Sequence, residues 1–326
     1  MTSSIKKFSF NLLWLAEHLL DSRLTNPLLQ KGRRSLLDSL VDSSVADFKP
    51  SPVKRNTEVN YVNKKNFYQI LSDEPCVFPG LGKNTEAFKK WDFDYLDKNY
   101  GHIQQSSYSR INDDYYMKSL KEVITNIKNP TRQESVTFGD LRYQSEQASK
   151  EMSYQTFIDQ NLIENKFNHY QQLFLAHKGY FNGYHSEMVN SITLQVRGIK
   201  RWVIIDPRDS LFLDPVVSRM LYFPCSLEID TATLKNLPQK PIRGYVVDLH
   251  PGDVFYMPPF FWHSVEYLED AISIGCFWSE IKTVFKHPLL SFMILTARNP
   301  SILQQLLARG KNSYLTYGIK NSKSDS

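Results

Sequence analysis

Ile5, Phe8, Leu12, Leu15 and Leu19 recur at alternating three- and four-residue steps, the apolar stripe of an amphipathic helix. Leu36, Leu37, Leu40 and Val41 suggest a second helix, ended by the Ser43-Ser44 region. Lys49-Pro50-Ser51-Pro52 cannot continue a helix, because proline lacks an amide proton and crowds the preceding turn, so it reads as a linker. Residues 1–50 are therefore predicted to be a helical extension that packs on the rest of the chain or faces a partner. From Val59 onward short apolar runs alternate with helical spacings. The pattern predicts a helix over Asn66 to Leu71, a strand over Cys76 to Pro79, and a mainly helical stretch from Asn84 to Lys98. A strand-then-helix follows over Tyr115 to Ile127, then a strand over Ser135 to Phe138. Asp140 to Lys150 is polar and reads as a loop, Ser153 to Ile163 has helical spacing, and Leu173 to Ala176 is a strand.

Five further apolar runs read as strands of one β domain: Ile192–Val196, Trp202–Ile205, Tyr245–Leu249, Val254–Met257 and Ala271–Phe277. Phe223 to Ile242, polar and interrupted by prolines, reads as a long insertion suited to a lid or a substrate contact. After residue 282 the character changes. His287 to Ala297 and Ile302 to Leu307 are two apolar helical patterns, with Asn299-Pro300 starting the second and Gly310 placed to stop it. Residues 283–326 are thus C-terminal helices followed by a polar tail, and residues 51–282 form the central domain, with its core at 173–280.

Bulk properties narrow the class. A chain of 326 residues with 41% hydrophobic and 13% aromatic residues can bury a sizeable core, which excludes wholesale disorder. The net charge of +5 is mild, and Lys64-Lys65, Lys89-Lys90 and Lys200-Arg201 are pairs rather than a patch. Charge alone therefore does not indicate a nucleic-acid partner. The three cysteines, Cys76, Cys225 and Cys276, lack CxxC spacing, which argues against a zinc site or a disulfide framework and fits a reducing compartment. Lys6-Lys7 before an apolar run imitates a signal peptide, yet Asn11, Glu17 and His18 interrupt it and no small-residue cleavage site follows. No stretch approaches the ~18 apolar residues of a membrane-spanning helix. The expected location is cytoplasmic, with no membrane partner.

Chemistry concentrates in two short pieces. Gly183-Tyr184-His185-Ser186-Glu187 enters a strand, where residues i and i+2 share a face, so His185 and Glu187 aim together. Pro251-Gly252-Asp253-Val254-Phe255-Tyr256-Met257-Pro258-Pro259-Phe260-Phe261-Trp262-His263 is a turn, a strand and a proline-rich bend that delivers His263. Two imidazoles and one carboxylate on one face of a metal form the triad that favours non-haem Fe(II) and leaves positions open.

His185-x-Glu187, the Gln195-Val-Arg-Gly198-Ile-Lys200-Arg-Trp segment, the Asp206-Pro207-Arg208-Asp209 turn and the Pro-Gly-Asp-Val run ending at Trp262-His263 occur in the order and spacing of one known group. Together they resemble the catalytic core of the JmjC, cupin-like 2-oxoglutarate oxygenases, closest to the small, asparaginyl-hydroxylase-like members. A weaker match, Glu74 to Gly80 and then Trp91, Tyr95-Leu96 and Tyr100-Gly101, resembles the opening of the same domain. The resemblance implies a mainly β fold with helices (α+β), a double-stranded β-helix of the jelly-roll type. It implies an Fe(II)- and 2-oxoglutarate-dependent hydroxylase with His185, Glu187 and His263 as metal ligands and Lys200 on the distal carboxylate of 2-oxoglutarate. An ammonium inside a barrel is costly without an anion partner. The alternative is a surface lysine beside Arg201. Asn182 falls where relatives often carry a threonine that helps hold the same carboxylate, and Tyr184 is a further donor nearby. For Tyr184 a purely structural role stands equally open.

The implied substrate is a side chain in a protein or peptide, with a tRNA base or a small metabolite as alternatives; helices like the C-terminal pair make a homodimer interface in the resembled family, and packing on the chain's own barrel is the equal alternative. The competing reading is a non-catalytic cupin-like metal-binding or scaffold protein. Three features depart from the family pattern: Ser191 and Cys276 stand where relatives have asparagine, and a family tyrosine that contacts 2-oxoglutarate has no clear counterpart, with Tyr170 a candidate.

Overall fold

The computed structural model describes residues 3–20, 22–40, 50–71, 73–109, 114–129, 135–139, 141–213, 222–224 and 242–296. It opens with α1 (Ser3–Leu19) and α2 (Ser22–Leu40), then short strands β1 (Ser51–Pro52) and β2 (Lys54–Arg55). α3 (Phe67–Ile70), β3 (Cys76–Phe78), α4 (Glu86–Lys90) and α5 (Phe93–Tyr100) lead into β4 (Gln104–Ser109), β5 (Asp114–Ser119), α6 (Leu120–Lys128) and β6 (Ser135–Gly139). Three short helices follow: α7 (Leu141–Gln144), α8 (Glu146–Glu151) and α9 (Asn161–Glu164). The second half supplies most of the barrel: β7 (Phe167–Ala176), β8 (His185–Glu187), β9 (Asn190–Arg197), β10 (Lys200–Ile205), a 3₁₀ segment (Pro207–Leu213), β11 (Tyr222–Pro224), β12 (Gly244–Leu249), β13 (Val254–Met257), β14 (Trp262–Tyr267) and β15 (Ala271–Ser279). α10 (Lys282–Lys286) and α11 (Pro288–Leu295) close the described chain.

The strands make a six-stranded sheet, ordered β1-β12-β10-β14-β8-β11, and a nine-stranded sheet, ordered β2-β3-β13-β9-β15-β7-β6-β4-β5. Because side chains alternate across a strand, each sheet has one face toward the other sheet and one toward helices. Three apolar clusters show this layering. Between the sheets lie Trp202 and Ile204 of β10, Val265 and Tyr267 of β14, and Phe255 and Met257 of β13. The outer face of the large sheet presents Ile192, Leu194 and Val196 of β9 to helical residues such as Trp91, Leu96 and Ile124. The outer face of the small sheet presents Val203 and Ile205 to Phe10 and Trp14 of α1 and to Leu290, Met293 and Ile294 of α11. The expected α+β jelly-roll is thus the fold.

Several local expectations are corrected. Asp140 to Lys150 is no loop, since it contributes α7 and most of α8. Its polarity misleads because the adjoining Glu151 is buried yet satisfied, accepting from Trp91 Nε1 at 2.7 Å, Tyr95 Oη at 2.6 Å and Tyr100 Oη at 2.6 Å. Within Ser153 to Ile163 only the last residues are helical, as the start of α9. Ser51-Pro52, read as linker, is an edge strand parallel to β12, a position where proline is tolerated. The N-terminal stripe is reversed: α1 turns Phe10 and Trp14 inward and leaves Ile5, Phe8, Leu12 and Leu19 exposed. The predicted helix over Ile302 to Leu307, and most of the Phe223 to Ile242 insertion, lie outside the described residues.

Candidate active site

β8 is only three residues long, but its alternation sorts them. Ser186 points outward and its hydroxyl donates to the Phe260 carbonyl at 2.8 Å. His185 and Glu187 share the opposite face. β14 runs antiparallel to β8 with His263 directly across from His185, and the two imidazole centroids are 4.2 Å apart with planes at 55°. Trp202 stacks on the far side of His263 at 5.5 Å and 24°.

His263 reaches this place through the Pro258-Pro259-Phe260-Phe261 bend. There Phe260 adopts φ 66°, a left-handed conformation that costs a non-glycine residue about 1–2 kcal/mol. The bend holds because the Phe260 ring is fully buried, lies edge-on to His287 at 5.3 Å, and the Phe260 amide donates to the Glu187 carbonyl at 2.7 Å.

Hydrogen bonds orient both rings. His185 Nδ1 lies 2.9 Å from the Gly183 carbonyl and His263 Nδ1 lies 3.1 Å from the Phe261 carbonyl. A carbonyl only accepts, so each Nδ1 donates a proton there, and this turns Nε2 of each ring away from the carbonyl. This is how metal-binding histidines are usually oriented. Burial, and secondly the neighbouring His185, hold the His263 pKa well below the usual imidazole range, so it is neutral at neutral pH. Burial pushes the Glu187 carboxyl up, partly opposed by His185. A cation bound beside it would relieve that penalty.

As the chain stands, no group of three or more His, Cys, Asp or Glu side chains among the described residues is drawn closely enough together to hold a metal. The fold brings the two rings together and puts Glu187 on their face without closing a three-ligand cluster. The donor chemistry still fits a divalent transition metal: two imidazoles with Nε2 turned away from the backbone carbonyls and one carboxylate.

Deeper in the barrel, Lys200 is 2% exposed. Its Nζ donates to Tyr267 Oη at 3.0 Å and Ser273 Oγ at 2.5 Å, and lies 4.2 Å from the Tyr267 ring centroid. No carboxylate pairs with it among the described residues. Burial alone drives its pKa well below the usual lysine range. Lys200 pairs in register with Tyr267, and Ile204 with His263. Those four residues separate the two levels by about 13 Å at ~3.3 Å each, a span that the lysine side chain and a short dicarboxylate can bridge together. The alternative of a surface lysine is excluded.

The auxiliary candidates fare differently. Asn182 Oδ1 accepts from the Val265 amide at 2.6 Å and its carbonyl accepts from Ser264 Oγ at 2.6 Å, so it latches the loop before His185 onto β14. Tyr184 is corrected. One residue before His185, it faces the outer cluster with Val203, Ile205 and Trp262, away from Lys200. Ser191 is buried and points inward with Thr193 and Gln195, on the face opposite Ile192 and Leu194. Cys276 faces the outer helical layer, with Sγ 3.6 Å from His169 Nε2. Tyr170 stacks on Phe277 at 4.8 Å and 15°, so it lines the interior as part of an aromatic wall. The sequence reading missed Tyr267 and Ser273. The signal for Ser273 was there, a lone hydroxyl between Ile272 and Ile274. Tyr267 ends a strand that the proline-rich bend had concealed.

A family model described as a cupin-like domain matches residues 65–283. The chain belongs to the cupin-like family. Among curated proteins this cupin-like chain is 35% identical over 98 residues to HSPB1-associated protein 1 of Rattus norvegicus, covering 28% of the chain and 20% of that protein. It is 30% identical over 100 residues to tRNA wybutosine-synthesizing protein 5 of Mus musculus, covering 30% of each. It is 23% identical over 124 residues to the 2-oxoglutarate and iron-dependent oxygenase JMJD4 homolog of Drosophila melanogaster, covering 37% of the chain and 27% of that protein. The matches place it with JmjC-type cupins, though each spans less than a third of the relative's length. No helix among the described residues is long and apolar enough to cross a membrane.

Proposed function

We propose that the protein is an Fe(II)- and 2-oxoglutarate-dependent dioxygenase that hydroxylates a C–H bond of a side chain in a protein or peptide. The observation that carries this reading is Lys200, an ammonium sealed between the sheets with two hydroxyls and, among the described residues, no carboxylate, on the same strand face as the His185–His263 pair. Burying a charge this way is sustained by a bound anion. A dicarboxylate whose other end reaches the imidazoles matches the arrangement. The similarity to the Drosophila 2-oxoglutarate and iron-dependent oxygenase JMJD4 homolog supports the same class.

In this reading His185, Glu187 and His263 hold the metal, and Lys200, Tyr267 and Ser273 hold the distal carboxylate. Iron and 2-oxoglutarate, when bound, supply the activation of dioxygen. The chain's own work is positioning and exclusion. The Nδ1–carbonyl hydrogen bonds fix both rings with Nε2 inward. Trp202 buttresses His263, and the Tyr170–Phe277 stack and Phe174 wall the interior against water. Glu187 supplies the negative charge that a divalent cation needs in this apolar setting.

That no three-ligand cluster closes among the described residues favours the second reading, a non-catalytic cupin-like metal-binding or scaffold protein. One experiment separates them: anaerobic Fe(II) titration, then assay of succinate from 2-oxoglutarate with and without cell extract. Metal- and oxygen-dependent succinate is expected. Metal binding with no succinate under any condition would establish the scaffold instead.

A further inference from the structure

We infer that α1 is a self-association helix: two copies of this chain pair through the exposed residues Ile5, Phe8, Leu12 and Leu19, with the half-buried Leu15 at the inner edge of the seam. The steps along α1 are three, four, three and four residues, which assigns these residues to the a and d positions of a coiled-coil heptad. A helix with one apolar face would turn that face into its own domain. Here the body is gripped from the other side, by Phe10 and Glu17 at the f positions and Trp14 at c, all buried. The f side lies almost opposite the a/d seam, so anchoring the helix this way presents the seam squarely outward. Ile5 is 49% exposed, Phe8 69%, Leu12 55% and Leu19 47%.

The anchoring is firm. Glu17 forms a buried ion pair with Arg33 of α2 at 3.2 Å, and His18 Nε2 meets Thr296 Oγ1 at 2.9 Å, beside the end of α11. That contact extends the apolar surface, because Leu295 and Phe292 of α11 are also 44% and 45% exposed. The seam and these two residues expose roughly 600 Å² of apolar side chain, at or above the largest patch of an ordinary monomer and close to the ~800 Å² each partner gives to a standard interface.

Three features select a second copy over another occupant. The a/d pattern is self-complementary, so a two-fold axis sets like on like. The flanking e and g positions carry Ser4, Ser9, Asn11 and Ala16, and His18 at the last g position is buried against Thr296, so no exposed like charges face each other between copies. The two lysines near the seam are turned onto their own chain: Lys6 Nζ donates to the Ser39 carbonyl at 2.8 Å and Lys7 lies 5.9 Å from the Phe212 ring centroid. A helix seeking an anionic lipid surface would spread such charges beside its apolar face. This inference does not depend on the oxygenase reading, because the seam lies outside the barrel interior.

The test is sedimentation of the full-length protein over a concentration series. The wild-type chain should form dimers, and Phe8→Glu and Leu12→Glu should each weaken dimerisation by more than about tenfold. Both positions are exposed in the single chain, so thermal melting followed by circular dichroism should stay close to wild type and show that the variants fold. Phe285→Glu in α10, outside the seam, should leave the dimer intact. A wild-type protein that is monomeric at every concentration overturns the inference. So does a dimer broken by Phe285→Glu but not by Phe8→Glu, which would move the interface to the C-terminal helices. Monomers that sediment with anionic vesicles would overturn it in favour of a lipid surface.

Discussion

Replacing Lys200 by methionine isolates the buried ammonium with little change in volume. In the ligand-free protein two effects oppose each other. Exchanging a buried charge for an apolar side chain of similar size is neutral to stabilising by about 1–4 kcal/mol. Against this, Tyr267 Oη and Ser273 Oγ each lose a donor, at about 0.5–1.5 kcal/mol apiece. Lys200→Met is therefore expected to lie within about 3 kcal/mol of wild type in either direction. Affinity should fall. Breaking a buried, hydrogen-bonded ion pair costs about 3–5 kcal/mol, or roughly 10²–10³-fold in 2-oxoglutarate binding.

Thermal unfolding with and without 2-oxoglutarate reads both effects together. A hundredfold excess of ligand over Kd stabilises the wild type by about 2.7 kcal/mol, and the same concentration should not stabilise the variant. The pH dependence has a definite sign. Burial lowers the folded-state pKa of Lys200, so between that value and the ordinary lysine range the unfolded chain holds more protons than the folded one. Ligand-free stability should therefore rise with pH across that window and be reduced below it. Lys200→Met should lose this rise. A variant that keeps its 2-oxoglutarate-dependent stabilisation would refute the reasoning. So would a ligand-free protein destabilised by several kcal/mol, since the ammonium would then be a structural donor and not an anion site.

Three other outcomes follow from the geometry. His185→Ala and His263→Ala should each lower Mn(II) affinity by at least about a hundredfold, as followed by electron paramagnetic resonance, and His263→Ala should also lower the ligand-free melting temperature, because its buried ring stacks on Trp202. Gly275→Ala places a β-carbon 2.7 Å from Phe277 and 2.8 Å from Phe174 ring atoms. Denaturant unfolding should show a loss of about 1–3 kcal/mol from overpacking, and near-ultraviolet circular dichroism a disturbed Tyr170–Phe277 stack. Burial pushes the Glu151 carboxyl up, but hydrogen bonds from Trp91, Tyr100 and Tyr95 outweigh it and hold the pKa below the usual range. Its stabilisation is therefore present above that range and lost as pH falls through the folded value. Glu151→Gln should cost about 1.5–3 kcal/mol at neutral pH and show a smaller acid-side loss than wild type.

The legible part of this protein was the part written in period two. β9, β10, β12, β13 and β15 fall within a few residues of the runs that predict them, because alternation over a half-buried strand leaves a direct trace. The shared face of His185 and Glu187 and the parity of Lys200, Trp202 and Ile204 followed from the same rule. What failed was burial decided by partners distant in sequence. Asp140 to Lys150 looked solvated because nothing local reveals that Glu151 meets an indole and two phenols from α4–α5. α1 looked simply amphipathic because its anchoring face uses Trp14, Glu17 and His18, which an apolar pattern does not count. Tyr184 failed by one position, and one position turns a side chain through the sheet.

That sensitivity to parity explains the Gln195-Val-Arg-Gly198-Ile-Lys200 segment. β15 pairs Ile272 with Arg197 but Ser273 with Gln195, so β9 carries one extra residue, Val196, at this point. Such a bulge re-aims the side chains beside it, and Ser273, on the partner strand at the bulge, is the residue that meets Lys200. Gln195 holds the irregularity in place: its Nε2 donates to the Arg197 carbonyl at 2.8 Å and the Gly198 carbonyl at 3.0 Å. Gly198 then turns the chain at φ 69°, where a β-carbon would sit 2.3 Å from the Asp270 carbonyl oxygen, so no other residue fits without moving backbone. The glutamine, the glycine and the lysine thus form one device. The first two set the register of the strand pair, and that register delivers the ammonium and the Ser273 hydroxyl to the same point inside the barrel.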